Sequence, residues 1–178
     1  MPLTPEVLLL AFTLGGVGLK LADLHDRKRR GFIFASISAI SMGLLISDSP
    51  FSSSIVLGII LGVALAGKID QPNLIFGLGL ALATAVIIGL LFTGFITPDL
   101  PLLATFTAAA LVDEVGHDKI NAGRIFPSFF RFRVTLKTTI ILLIIFSQID
   151  LIHAIGFFCF DLSYEIVNVI SEYSKKGS

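Results

Sequence analysis

The chain has 178 residues, of which 54% are hydrophobic, and thirteen Lys and Arg balance thirteen Asp and Glu. A mean hydropathy of +0.93, carried in long uninterrupted apolar runs, excludes an ordinary soluble domain, which is about half apolar at most. The zero net charge points to no acidic or basic partner, and no nucleic-acid partner is expected. The single cysteine, Cys159, excludes an intrachain disulfide.

A helix needs about 20 mostly apolar residues to cross a bilayer. Spanning segments must be helices or a closed barrel, because lipid satisfies no backbone polar group. Barrel strands alternate polar and apolar residues, and these runs do not. Seven spans are predicted, over residues 5–22, 31–47, 52–67, 73–96, 98–112, 134–147 and 151–171. Pro5, Pro50, Pro72 and Pro98 stand at or just before the starts of four of them, where a missing N–H does little harm. The first run has no basic residue ahead of it and is expected to be retained as a helix. A six-span alternative joins residues 135–160 into one helix followed by an interfacial C-terminal helix. The break at Gln148-Ile149-Asp150 favours two helices. Gly58 and Gly62, in GxxxG spacing, suit close helix packing in lipid. The expected fold is an all-α polytopic transmembrane helix bundle forming a single domain over 1–178.

With seven spans, every Lys and Arg falls on one side of the membrane. These are Lys20, Arg27, Lys28, Arg29, Arg30, Lys68, Lys119, Arg124, Arg131, Arg133, Lys137, Lys175 and Lys176. The other side carries Glu6, Asp48, Asp99 and Asp150. Basic residues mark the cytoplasmic side. The expected localisation is therefore the cell membrane, with the N-terminus outside and the C-terminus cytoplasmic.

Topology accounts for the basic residues but does not require the acidic ones. Asp23 and Asp26 are three apart and share a face if the first helix continues past them. Two such carboxylates can hold Mg²⁺, which keeps waters and binds substrate phosphates. The alternative is a solvated helix end. Asp113-Glu114-Val115-Gly116-His117-Asp118 places four ionisable residues in six at the end of the fifth span. Glu114 and Asp118 are four apart, and Gly116 argues against a stiff helix there. If the two clusters converge, Asp23, Asp26, Glu114 and Asp118 are the metal candidates, and Lys20, Lys68 and Arg124 the phosphate-binding ones. Asp161 and Glu165 share a face within the seventh span. Ionisable residues at that depth face a pathway, a polar site wall or an ionic partner such as Lys137. His25, His117 and His153 form no zinc spacing, and His153 lies on the other side.

Asp23-Leu24-His25-Asp26-Arg27 resembles the first aspartate-rich motif of the UbiA-type membrane prenyltransferases, in which Asp23, Asp26 and Arg27 match. Ala22 replaces the usual Asn, and Arg30 stands where a further acid is expected. Gly116, Asp118, Gly123 and Pro127 look like the second motif, interrupted by His117, and Lys68 with Asp70 fall in the charged loop midway. The family is longer and has nine helices, so this chain would lack the first and last. The resemblance implies Mg²⁺-bound isoprenyl diphosphate and transfer of the prenyl group to an acceptor. The chain is also similar to archaeal integral membrane proteins to which no function attaches. Three readings follow: a membrane enzyme for a phosphorylated isoprenoid lipid, a small ion or solute transporter, and a non-catalytic membrane subunit. The expected partners are membrane lipids, with a homo-oligomer or a membrane subunit partner open.

Overall fold

The computed structural model describes residues 3–26, 28–121, 133–146 and 148–176, with the side chains of residues 93, 117–121 and 174–176 left outside the description. Seven α-helices occupy the described residues: α1 Pro5–Leu24, α2 Arg29–Ile46, α3 Pro50–Leu65, α4 Pro72–Ile88, α5 Leu100–Asn121, α6 Val134–Ile145 and α7 Leu151–Lys176. A π-helical turn, Gly89–Thr93, ends α4. No strand occurs among the described residues. Four stretches, Pro5–Leu24, Arg29–Ile46, Pro72–Phe92 and Leu151–Tyr173, are long and apolar enough to cross a membrane. Pro50–Leu65 and Val134–Ile145 are shorter apolar helices.

One sequence-based expectation changes and two alternatives are decided. The first helix stops at Leu24, the helix-end alternative, rather than continuing through Asp26. The His25 N–H bonds Ala22 O, and the His25 ring nitrogen Nδ1 lies 2.9 Å from Leu21 O, which closes the last turn. Asp23 is therefore helical while Asp26 sits in the turn beyond it, so the two share no helix face. The fifth helix runs more than two turns past Val112, to Asn121, and Gly116 does not interrupt it. A glycine costs a helix interior only about 1 kcal/mol relative to alanine, and the second acidic cluster thus lies on a helix. Finally, α6 and α7 are separate helices, the alternative that the Gln148-Ile149-Asp150 break favours.

Glycines set the closest helix contacts. α1 and α7 run side by side in the same direction, with Gly15 against the Phe160 ring and Gly156 against Phe12. A Cβ on Gly16 would collide with the Phe160 carbonyl and the Ser163 hydroxyl. Gly58 and Gly62 lie on Phe106 and Ala110, so the GxxxG pair is the seam between α3 and α5. Phe12, Leu45, Ile55, Phe106, Ile140 and Phe157 form the buried core. α2 packs on α1 and α4, and α5 on α3 and α6. Among the described residues α3 and α4, though consecutive, do not pack on each other. The cleft between them holds an apolar cavity of about 100 Å³, lined by Leu19, Ala39, Ile60, Val63, Leu74 and Leu78 among others. A second cavity of about 350 Å³ lies between the same helices toward their other ends, against Ile46, Leu57 and Leu82.

The bundle has two chemically different ends. The charged end gathers the C-termini of α1, α3 and α5 with the N-termini of α2, α4 and α6. The opposite end gathers the N-termini of α1, α3, α5 and α7.

Candidate functional site

At the charged end, the α1 helix presents Lys20 and Asp23 one turn apart, joined at 3.0 Å. The other oxygen of Asp23 accepts from the side-chain amide of Gln71, the N-cap residue of α4, at 3.1 Å. Two residues on, the buried Asn73 donates its amide to the Ala22 carbonyl at 2.6 Å. These two bonds pin the start of α4 to the last turn of α1. They also aim two amide oxygens, Gln71 Oε1 and Asn73 Oδ1, that meet no donor among the described residues. Oxygen acceptors without donors, beside a carboxylate, are what a hard cation would find.

The α5 side is built differently. Asp113 is only 2% exposed and binds the second and third amides of α6, Thr135 N at 3.0 Å and Leu136 N at 2.9 Å. It satisfies orphan donors at a helix start and favours the positive end of the helix dipole, so its role is structural. Glu114, the next residue, accepts from Arg133 at 3.4 Å.

The two sides meet on α7. The Lys20 ammonium lies 5.1 Å from the centre of the Tyr164 ring and the Arg133 guanidinium 4.7 Å from it. Both fall within the range of a cation–π contact. Asp23, Lys20, Tyr164, Arg133 and Glu114 thus form one connected network across α1, α7 and α5. Deeper in the bundle, Lys137 of α6 meets Asp161 of α7 at 2.8 Å, with the Asp161 side chain 6% exposed. Glu165 is close enough for its charge to act on Arg133.

The sequence-predicted residues divide accordingly. Lys20, Asp23, Glu114, Asp161 and Glu165 belong to this network or border it. Asp26 lies in the turn after α1, and Lys68 in the loop between α3 and α4, at the same end of the bundle. Arg124 lies outside the described residues. Asp118 is on α5, with its side chain outside the description. Among the described residues no three of His, Cys, Asp and Glu come together as a metal-binding group. Nothing in the sequence singles out Arg133, Gln71 or Asn73 as site residues. Tyr164 carried a signal, as one of two tyrosines in a chain without tryptophan, three residues from a buried acid.

The named cations and acids do not balance. Lys20, Arg133 and Lys137 face Asp23, Glu114, Asp161 and Glu165, so the network is acidic by one charge when all are ionised. An anion alone has little to gain there, whereas a cation, or an anion that brings one, does. No family model, curated protein or solved structure matches the chain.

Proposed function

We propose that the chain is an integral membrane protein that binds a phosphate-bearing isoprenoid lipid, as its Mg²⁺ complex, at the charged end of the bundle. The observation that carries this reading is the convergence of α1 and α5 on the Tyr164 ring, which brings Lys20, Asp23, Arg133 and Glu114 to one place. Asp23 and Asp26, with the amide oxygens of Gln71 and Asn73, supply oxygen ligands of the kind Mg²⁺ takes. Mg²⁺ ordinarily binds through one or two carboxylates plus substrate phosphates rather than in an all-protein cage. The acidity of the network explains why the ion must accompany the anion. Lys20 and Arg133 would hold phosphate oxygens, with Lys68 and Arg124 as further cations at that end. The apolar cleft between α3 and α4 supports the lipid reading. Its lining begins at Leu19, beside Lys20, and at Leu74, beside Asn73.

In this reading seven helices cross or enter the membrane, with the charged end cytoplasmic. The N-terminus is outside and the C-terminus inside. Prenyl transfer, as in the UbiA-type enzymes the sequence resembles, is the reaction class to test once binding is established.

Binding of geranylgeranyl diphosphate to the protein in lipid nanodiscs is expected to require Mg²⁺. Lys20→Ala and Arg133→Ala are each expected to weaken it about tenfold, the loss of one charge-assisted bond. Binding that ignores both Mg²⁺ and these changes would sink the proposal.

A second reading draws on the Lys137–Asp161 pair. An ion pair at that depth is a common element of proton and cation pathways. Proton flux into proteoliposomes that falls with Asp161→Asn would favour transport, and flux equal in both proteins would remove Asp161 from any pathway.

A further inference from the structure

The end of the bundle opposite the charged network holds a second polar cluster, built on other residues. His153, in the first turn of α7, is 7% exposed. Its Nε2 lies 3.0 Å from the Ser49 hydroxyl. Ser49 Oγ in turn lies 3.2 Å from Ser52 Oγ, and Ser52 donates to Asp48 Oδ2 at 3.1 Å. The other Asp48 oxygen accepts the Leu3 amide at 2.6 Å. Three separate segments are tied here: the chain before α1, the turn between α2 and α3, and the start of α7.

Counting protons fixes the state of the histidine. The single hydroxyl proton of Ser52 goes to the Asp48 carboxylate, so Ser52 Oγ must accept from Ser49. Ser49 has then spent its own proton, and its remaining lone pairs take the Ser52 amide, at 3.1 Å, and a proton on His153 Nε2. A neutral His153 is therefore the Nε2–H tautomer, since a neutral imidazole carries one N–H. That leaves Nδ1 as a bare acceptor, and it is buried with no donor. The charged group beside it is the wrong kind for a lone pair, the Asp150 carboxylate at 3.9 Å.

A proton on Nδ1 removes this mismatch. The orphan acceptor becomes a donor, and the imidazolium charge lies between two carboxylates, Asp150 at 3.9 Å from Nδ1 and Asp48 at 3.8 Å from Nε2. The Phe51 ring also lies against it, 5.5 Å away. Asp99, the other acid at this end, is engaged with Ser54 and the α5 start. We propose that His153 is a proton-binding site, in which Nδ1 takes up a proton that Asp150 and Asp48 hold, tightening the three-segment junction as pH falls through the range where histidine changes charge.

The site stands apart from the lipid reading and can be tested without any ligand. In detergent micelles, the variant His25→Gln/His117→Gln leaves His153 as the only histidine. Its ¹⁵N imidazole signals are expected to show Nδ1 unprotonated and Nε2 protonated at pH 8, with both protonated at pH 5.5. The amides of Leu3 and Ser52 are expected to exchange about tenfold more slowly at the lower pH, after correction for intrinsic rates, as one gained charge-assisted bond implies. Asp150 is 68% exposed, so Asp150→Asn leaves packing intact and is expected to reduce proton affinity about threefold. An Nδ1–H tautomer at pH 8 would overturn the assignment. So would a titration midpoint unmoved by both Asp150→Asn and Asp48→Asn.

Discussion

The two ends of this bundle solve the problem of polar groups beside lipid in opposite ways. The charged end spreads its ionisable groups over four helices and joins them through long, flexible side chains around one aromatic ring. The opposite end uses short side chains, Asp48, Ser49 and Ser52, in a chain of bonds to one imidazole. Long cations tolerate a shift of their partners, because their stems can bend to follow. A chain of hydroxyls tolerates almost none, since each bond fixes the direction of the next. The first end is suited to receive a ligand, and the second to register a proton.

The largest test of this contrast lies just inside the charged end. Lys137→Met leaves the Asp161 carboxylate buried without its ammonium, and a broken buried pair costs about 3–5 kcal/mol. Replacing both residues, as Lys137→Met/Asp161→Leu, is expected to restore most of that stability in thermal unfolding in detergent. A single variant as stable as the parent would show that water reaches Asp161.

A smaller effect is expected at the other end. Burial alone would raise the Asp48 carboxyl, but the nearby His153, the bonds from the Leu3 amide and Ser52, and the neighbouring Ser49 hydroxyl outweigh it and hold the carboxyl below its ordinary value of 3.8. A carboxylate with a lowered value stabilises the fold above the ordinary value, and that contribution is lost as pH falls through the lowered one. Asp48→Asn is therefore expected to cost about 2 kcal/mol at pH 7 and to flatten the loss of stability below pH 3.8. This acid loss runs opposite to the proposed gain at His153 and occurs at lower pH, so the junction should be firmest between the two.

The smallest change is expected at the aromatic hub. Tyr164→Leu removes two cation–π contacts and is expected to cost about 1 kcal/mol. Tyr164→Phe should cost less, because it keeps the ring beside both cations and removes only the hydroxyl's contact with Lys20. A large loss in Tyr164→Phe would move the weight from the ring to the hydroxyl.

The contrast also explains what could be read in the sequence. Among the described residues the approximate helix positions follow from hydropathy, and Asp23 and Glu114 stand out because dense charge at the end of an apolar run is costly without a purpose. The network joining them was not legible, since Tyr164 is about 140 residues from Lys20 and only packing of α7 on α1 brings them together. The sequence left two readings of the end of α1 open, and the contact of the His25 ring with Leu21 O, which no spacing rule anticipates, closes the helix at Leu24. The His153 junction left almost no trace. Its members are a loop aspartate, common serines and one histidine far along the chain. The run Ser52-Ser53-Ser54 at the start of an apolar helix was the one oddity pointing to it.

The adjacency of α1 and α7 has a consequence for how the protein is made. α1 leaves the ribosome first and α7 last among the described helices, yet Gly15 and Gly16 are shaped to receive Phe160 and Ser163. Throughout synthesis this small-residue face and Lys20 must wait beside lipid or a chaperone, and the hub around Tyr164 does not exist until the final helix inserts. Assembly of the charged end is thus a late event in biogenesis, and a ribosome stalled after α6 would hold a nascent chain with helices in place and no site.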